Sequence, residues 1–218
     1  MPRRPHSSTA GYIFHVVNRG AARQRLFDTS QDYDAFLALM RQAQNQVPIR
    51  LLAFCLMPNH WHLVLWPETD DSLSEFMRWL TVTHAQRWHA ARGTSGTGAV
   101  YQGRFKSFPI QADDHFFTVC RYVERNALRA NLVSCAELWK WSSLWHAENL
   151  APSLSLAAWP LARPNQWAAH VNEPQTEEEV AAVRHSIARS RPFGDKNWTH
   201  ATAHALGLER TLSLPGRT

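Results

Sequence analysis

Two strand-like apolar runs joined by a two-residue turn constrain the fold of this chain more than any other feature. The first run spans residues 49–57, the second spans residues 60–66, and Pro58-Asn59 lies between them. Two apolar strands separated by so short a turn are typical of a β-hairpin. The chain therefore contains an antiparallel strand pair, around which the other elements must pack.

The segments around this hairpin alternate between strand-like and helix-like patterns. Thr29 and Ser30 are candidate N-caps of the first helix, and the capping-box pattern Ser72-Leu-Ser-Glu75 opens the second. The first six elements match the βαββαβ order of an α+β, ferredoxin-like sandwich, with helices on one sheet face and the other face available for a site. The predicted order is strand 12–17, helix 29–46, strands 49–57 and 60–66, helix from 72, strand 107–111 and a third helix 113–130.

Residues 136–218 differ from residues 1–135 in their sequence pattern, because their tryptophans lie among prolines and serines without a long periodic helix. We interpret them as a separate, partly helical C-terminal extension. Thr176 is predicted to cap one of its helices, ending near residue 190, and residues 197–206 form another. Exposed indoles would promote aggregation, so we expect the extension to pack on the core. Its tryptophans in the first half are Trp139, Trp141, Trp145, Trp159 and Trp167.

The charge and cysteine content restrict the partners and the cellular compartment. The net charge is +5, and residues 1–135 hold the whole excess, with 15 Lys/Arg against 10 Asp/Glu. A basic protein suits a polyanionic partner such as nucleic acid, although ordinary surface charge explains the composition equally well. Three cysteines without paired spacing form neither a disulfide framework nor a zinc site. No apolar stretch marks a signal peptide or membrane span, so we expect a soluble cytoplasmic protein with no membrane partner.

His60 and His62 are the first candidate site residues. Side chains alternate along a strand, so these two imidazoles point to the same sheet face. Two neutral imidazoles side by side provide half of a divalent-metal site. Taken alone, two histidines spaced in this way are more often structural or surface residues.

The third predicted helix offers residues that complete such a site. At 100° of rotation per residue, Phe116, Val119, Cys120, Val123, Ala127 and Ala130 form its core stripe. Tyr122 and Asn126 are four residues apart on a neighbouring stripe that borders the core. Tyr122 offers a phenol nucleophile, and Asn126 offers an amide oxygen as a third metal ligand. Taken alone, each is better explained by a structural role, Tyr122 as a boundary core tyrosine and Asn126 as a solvated helix residue.

Several motifs together resemble the HUH single-tyrosine transposases, and most of all the REP-associated tyrosine transposases of bacteria. The resemblance is strong over roughly residues 10–145 and weaker at Trp141–Ser143, Arg191–Gly194 and Trp198. An asparagine on the third helix is closer to the REP-associated branch than the glutamine usual in insertion-sequence relatives. The matching residues are His15-Val-Val-Asn-Arg-Gly20, Phe27-Asp28, Asp32-Tyr33, Met57-Pro-Asn-His-Trp-His-Leu63, Gln102-Gly-Arg-Phe-Lys-Ser107 and Arg121-Tyr-Val-Glu-Arg-Asn-Ala-Leu-Arg-Ala-Asn-Leu-Val133.

The resemblance implies a divalent-metal-dependent enzyme that cleaves and rejoins single-stranded DNA at a REP-type hairpin. It implies Mg²⁺ or Mn²⁺ held by His60, His62 and Asn126, with Tyr122 forming a 5′-phosphotyrosine link. That link conserves the bond energy, so rejoining needs no nucleotide cofactor. The REP-associated branch implies a monomer, although a dimer is possible.

Four basic residues are predicted to contact DNA phosphates. These basic residues are Arg104, Lys106, Arg121 and Arg129. The segment 102–107, which holds Arg104 and Lys106, is equally well explained as a solvated loop. His15 is better explained by packing than by a ligand role.

Two other functions remain compatible with the sequence. One is an autonomous insertion-sequence transposase acting as an obligate dimer. The other is a domesticated protein that binds hairpin DNA without cleaving it. The presence of all four residues His60, His62, Tyr122 and Asn126 argues against the second.

Overall fold

Four β-strands form one antiparallel sheet in the computed structural model, which describes residues 10–149 and 154–213. The strands are β1 (Ile13–Arg19), β2 (Ile49–Met57), β3 (His60–Pro67) and β4 (Lys106–Ile110). Their order across the sheet is β2-β3-β1-β4, so β3 lies between β1 and β2. This is the split βαβ arrangement of ferredoxin-like folds, and the predicted α+β class and the hairpin are confirmed.

Helices account for most of the remaining described residues. The first two occupy the predicted positions, and Thr29 caps the first through a reciprocal capping box with Asp32. Thr176 caps the helix predicted after it in the same way. The α-helices are α1 (Ser30–Gln46), α2 (Ser72–Arg92), α3 (Asp114–Glu124), α4 (Asn126–Arg129), α5 (Ser143–Glu148), α6 (Trp167–Asn172), α7 (Glu177–Arg189) and α8 (Lys196–Leu206).

The sheet separates two apolar cores, because side chains alternate between its faces. Phe14 and Leu63 point to one face and pack against α1 and α2. Ile13 and Val64, their neighbours along the strands, point to the other face and pack against α3, α6 and α7. The second face, predicted to be available for a site, is therefore covered in part by α3 and the extension.

The predicted capping box at the start of α2 is wrong. The N-cap is Asp71, and its side chain makes no capping hydrogen bond. Ser72 is buried as the first helical residue, and its hydroxyl is hydrogen-bonded to the Thr69 hydroxyl at 2.7 Å. The Thr69 backbone N–H also donates to Ser72 Oγ, so this hydroxyl closes the preceding turn instead of capping the helix.

The predicted continuous helix 113–130 is interrupted at Arg125. This residue has a ψ of −4°, and it separates α3 from the short α4. Backbone hydrogen bonds still cross the junction. The Arg125 N–H donates to the Arg121 carbonyl, and the Arg129 N–H donates to the Arg125 carbonyl. The Arg125 guanidinium donates to the carbonyls of Val171 and Asn172, which ties the junction to the extension.

The extension lies along β2 and β4 and satisfies backbone groups that those strands present. Indole N–H groups of Trp139 and Trp159 donate to the carbonyls of Leu56 and Leu52. Backbone bonds run from the Leu56 N–H to the Trp141 carbonyl at 2.9 Å and from the Ala157 N–H to the Leu51 carbonyl at 2.8 Å. On β4, the Phe193 N–H donates to the Pro109 carbonyl.

Residues 1–9, 150–153 and 214–218 lie outside the described residues. The outer ends of the two predicted segments, 1–135 and 136–218, fall there. So do the N-terminal residues on which the expected cytoplasmic location was based. No helix within the described ranges combines the length and the apolarity needed to cross a membrane.

We expect Phe76→Ala to lower the free energy of unfolding by about 3–5 kcal/mol, because the ring is fully buried between α2 and the sheet. Val82→Ala, on the exposed side of the same helix, is the control and should change it by less than about 0.5 kcal/mol. Urea unfolding followed by circular dichroism measures both values. Equal effects would contradict the assignment of this core.

Candidate active site

Three histidines converge on the sheet face that is covered by α3. His62 lies opposite Val17 of β1 and Cys55 of β2, and His60 lies opposite Arg19 and Met57. The rings of His60 and His62 are 5.1 Å apart between centroids. His15 points to the same face, with its ring centroid 5.0 Å from that of His62. Strand alternation thus places both predicted imidazoles together, as expected from the sequence.

Hydrogen bonds orient both rings through their Nδ1 atoms. His62 Nδ1 is hydrogen-bonded to His15 Nε2 at 2.8 Å, and His60 Nδ1 to Asn59 Oδ1 at 2.7 Å. When a neighbouring group occupies one ring nitrogen, it orients the ring and leaves the other nitrogen as the ligand atom. Nε2 is therefore the atom of each ring that can face a ligand. His15 and Asn59, both part of the motifs quoted above, are supporting residues whose hydrogen bonds to the two imidazoles the sequence did not predict.

Burial keeps these imidazoles uncharged at neutral pH. It lowers the pKa of His15 to about 3 and the pKa of His60 to about 4, where the charge of Arg19 contributes further. The pKa of His62 is held well below its usual range by burial and then by its histidine neighbours. A neutral imidazole keeps a lone pair available to bind a metal ion.

Tyr122 of α3 lies directly beside this histidine group. Its ring centroid is 5.8 Å from that of His62, and the two rings meet edge to face. The Arg129 guanidinium covers the Tyr122 ring, with its central carbon 4.1 Å from the ring centroid. The predicted nucleophile, one predicted metal ligand and one predicted phosphate contact are therefore neighbours.

Asn126 opens α4 and is only 6% exposed. Its Nδ2 atom is buried and has no hydrogen-bond partner among the residues that the structure describes. The backbone N–H of the next residue, Ala127, approaches the thiol of Cys55, which lies opposite His62 in the sheet. A buried amide with an unsatisfied atom is unusual in a folded protein.

These residues are compatible with a divalent cation. Two neutral imidazoles, each held by its Nδ1 atom, together with the side-chain oxygen of Asn126 would give a mixed nitrogen and oxygen donor set. His60, His62 and Asn126 are the residues that would hold the cation. No group of three or more His, Cys, Asp or Glu side chains suited to a metal occurs in the part of the chain that the structure describes.

The predicted phosphate contacts differ in their surroundings. Lys106 is exposed at the start of β4 opposite Val17, which places it on the histidine face, and Arg104 is exposed in the preceding loop. Arg121 is buried instead and donates to the carbonyls of Glu173 and Pro174. Arg121 therefore anchors the extension in this structure, in contrast to the predicted phosphate contact.

A buried carboxylate two residues after Tyr122 joins α3 to the extension. Glu124 is fully buried and accepts hydrogen bonds from Ser143 Oγ and the Trp167 indole N–H, while Arg163 pairs with it at 3.4 Å. Burial raises the pKa of Glu124, and Arg163 acts in the opposite direction. No role for Glu124 was predicted from the sequence. Its position on the apolar stripe of Cys120 and Ala127 was the available signal, because a charged residue on a core stripe requires partners.

The family of this chain follows from a match over most of the core. The family model described as Transposase IS200 like matches residues 8–126, which is more than half of the chain. This chain belongs to the IS200-like transposase family. This IS200-like transposase is accordingly an enzyme that cleaves and joins DNA, and the predicted enzyme class is confirmed. The family is in general dependent on a divalent metal.

Individual relatives of this IS200-like transposase agree with the predicted branch. A Haemophilus influenzae protein provisionally assigned as a REP-associated tyrosine transposase is 23% identical over 150 residues, covering 65% of this chain and 83% of the relative. A solved REP-associated tyrosine transposase bound to a REP hairpin has a TM-score of 0.55 at 20% identity. That match covers 72% of this chain and 92% of the other, and it supports the fold.

Glu124→Gln should change how the stability of this transposase depends on pH. A carboxyl whose pKa is higher in the folded than in the unfolded chain loses stabilising free energy as the pH rises through that interval, from about 4.3 upward. Glutamine cannot ionise. We therefore expect the difference in unfolding free energy, wild type minus variant, to decrease as the pH increases.

Urea unfolding at a series of acidic to neutral pH values measures this difference, in which the other carboxyl groups cancel. The same difference is also measured with Arg163→Gln present in both proteins. There the decrease with pH should be steeper, because the positive charge that opposes the rise in the pKa of Glu124 is gone. A difference that grows with pH would contradict the raised pKa.

Proposed function

We propose that this transposase cleaves and rejoins single-stranded DNA beside a REP-type hairpin, with Tyr122 as its nucleophile. The main support is the position of Tyr122, whose ring lies 5.8 Å from that of His62 on the face that also holds His60. The REP hairpin bound by one structural relative supports the substrate class.

The proposed reaction is a transesterification. The Tyr122 oxygen attacks the phosphorus of a phosphodiester, and the bond from phosphorus to the 3′-oxygen breaks. The phenol loses its proton, the departing oxygen gains one, and the DNA keeps a 5′-phosphotyrosine link to the enzyme. Attack by a 3′-hydroxyl on that link reverses the exchange and joins strands, so no nucleotide cofactor is consumed.

The residues around Tyr122 have separate roles in this proposal. Arg129 lies over the phenol ring and adds positive charge where the phosphate must approach. His60, His62 and Asn126 would hold Mg²⁺ or Mn²⁺, which when bound polarises phosphate oxygens and offsets developing charge. His15 and Asn59 keep the two imidazoles oriented.

DNA contacts outside this centre are proposed for Arg104 and Lys106. Both are exposed, and Lys106 lies on the histidine face of the sheet. We leave Arg121 out of this set, because its guanidinium is held by carbonyls of the extension. We further propose that the enzyme acts as a monomer, as the REP-associated resemblance implies, and that it works in the cytoplasm, as expected from the sequence.

Tyr122→Phe should lower the rate of covalent adduct formation by about 10³-fold or more, because phenylalanine has no attacking oxygen. The assay uses labelled REP-hairpin DNA with a single-stranded flank and Mn²⁺, and detects protein that carries label after denaturation. Tyr12→Phe, a partly exposed tyrosine before β1, is the control and should keep the wild-type rate.

Adduct formation by Tyr122→Phe at the wild-type rate would rule out this nucleophile. Tight hairpin binding by the wild type without any adduct would instead favour the non-cleaving DNA-binding protein. Dependence on element ends and on a dimer would favour an autonomous insertion-sequence transposase.

His60→Ala should weaken Mn²⁺ binding by about 100-fold or more, because it removes a metal ligand. Loss of a residue that only supports a ligand already lowers metal affinity by about 10–100-fold. Electron paramagnetic resonance titration of the full chain with Mn²⁺ measures this affinity without reference to activity. His204→Ala, on the exposed side of α8, is the matched control and should bind as the wild type does. Unchanged affinity in His60→Ala would contradict the proposed metal site.

A further inference from the structure

A cleft of about 730 Å³ lies between α4 and the extension. Arg129 lines it on the α4 side, and the same guanidinium covers the Tyr122 ring. Gln175, Arg184 and His185 line it on the side of α7. The cleft therefore adjoins the proposed nucleophile, and both parts of the chain build its walls.

Two guanidinium groups line this cleft without an acidic partner. Among the described residues, the buried Arg129 Nη1 has no hydrogen-bond partner, and Nη2 makes only a 3.5 Å bond to the Tyr122 carbonyl. Arg184 is exposed on α7, and within residues 10–149 and 154–213 neither arginine forms an ion pair. Glu177 adds a carboxylate to the lining, which leaves positive charge in excess.

The two arginines line the same cleft, and their positive charges oppose each other there. The pKa of Arg129 is lowered first by burial and then by charges that include Arg184. Neighbouring cations without a counter-ion destabilise one another, and an anion bound between them removes that cost. The guanidinium fork matches phosphate oxygens in particular, because two parallel N–H groups can bind one phosphate.

We propose that this cleft is a phosphodiester-binding site for single-stranded DNA, with Arg129 and Arg184 as its phosphate contacts. The inference rests on the proposed function, because the strand that enters the cleft is the one that Tyr122 attacks. It assigns a substrate contact to the extension, which would therefore form part of the DNA site and would not merely cover it.

Fluorescence anisotropy tests the assignment with a mixed-sequence single-stranded oligonucleotide that carries a 5′ fluorophore. The full chain is titrated at several salt concentrations in the presence of a chelator. Arg184→Gln should weaken binding by about tenfold and reduce the salt slope, log K against log salt, by about 0.7 for one lost phosphate contact. Arg184→Lys keeps the charge and should retain the wild-type slope.

Arg78→Gln is the matched control, because Arg78 is an exposed arginine of α2 on the opposite face of the sheet. It should bind the oligonucleotide with wild-type affinity and salt slope. Thermal unfolding of each variant establishes that the fold is intact, as expected for exposed side chains.

Identical behaviour of Arg184→Gln and Arg78→Gln would overturn the inference. Tighter binding by Arg184→Gln would overturn it as well, since the extension would then be competing with the strand. The covalent adduct of Tyr122 is scored separately. Absence of that adduct in the wild type contradicts the proposed function, whereas an unchanged salt slope in Arg184→Gln contradicts only this inference.

Discussion

The register of β3 is the constraint on which the site and both cores depend. This strand is hydrogen-bonded on both sides, to β1 and to β2. Trp61 is therefore fully buried against the helices of one face, while His60 and His62 point to the other. A slip of one residue would exchange these faces, burying imidazoles under α2 and moving the indole to the site. The large buried indole thus helps to hold the two imidazoles in position.

Local patterns predicted the elements of the core, because each depends on side chains close in sequence. The hairpin, the sheet and the α1 cap at Thr29 were all predicted in this way. At Ser72 the same kind of pattern gave the wrong cap, because its hydroxyl bonds to Thr69 and is buried. The interruption at Arg125 was missed for a different reason. Its guanidinium bonds to carbonyls nearly fifty residues later, and no local pattern contains that contact.

The candidate site was predicted in its central residues and missed in its supports. Spacing placed His60 and His62 on one sheet face and Tyr122 with Asn126 on one helix stripe, whereas the family resemblance implied that these two pairs meet. Glu124 and Arg121 face the extension, and their partners could be identified only once the chain had folded. Arg121 illustrates the difficulty well, because an arginine beside a nucleophile suggests phosphate binding until a carbonyl is found to hold it. The buried Glu124 gives the extension a direct mechanical link to the helix that carries Tyr122.

The way the extension lies along β2 and β4 has a consequence for association between molecules. These are the outermost strands of the sheet, and such strands present unpaired backbone groups that can template a strand from another chain. Carbonyls of Leu52 and Leu56 are already taken by indoles, and Phe193 bridges to β4. The protein thereby blocks its own sheet from growing across two copies, and a chain shortened before Trp139 would expose the margin along β2.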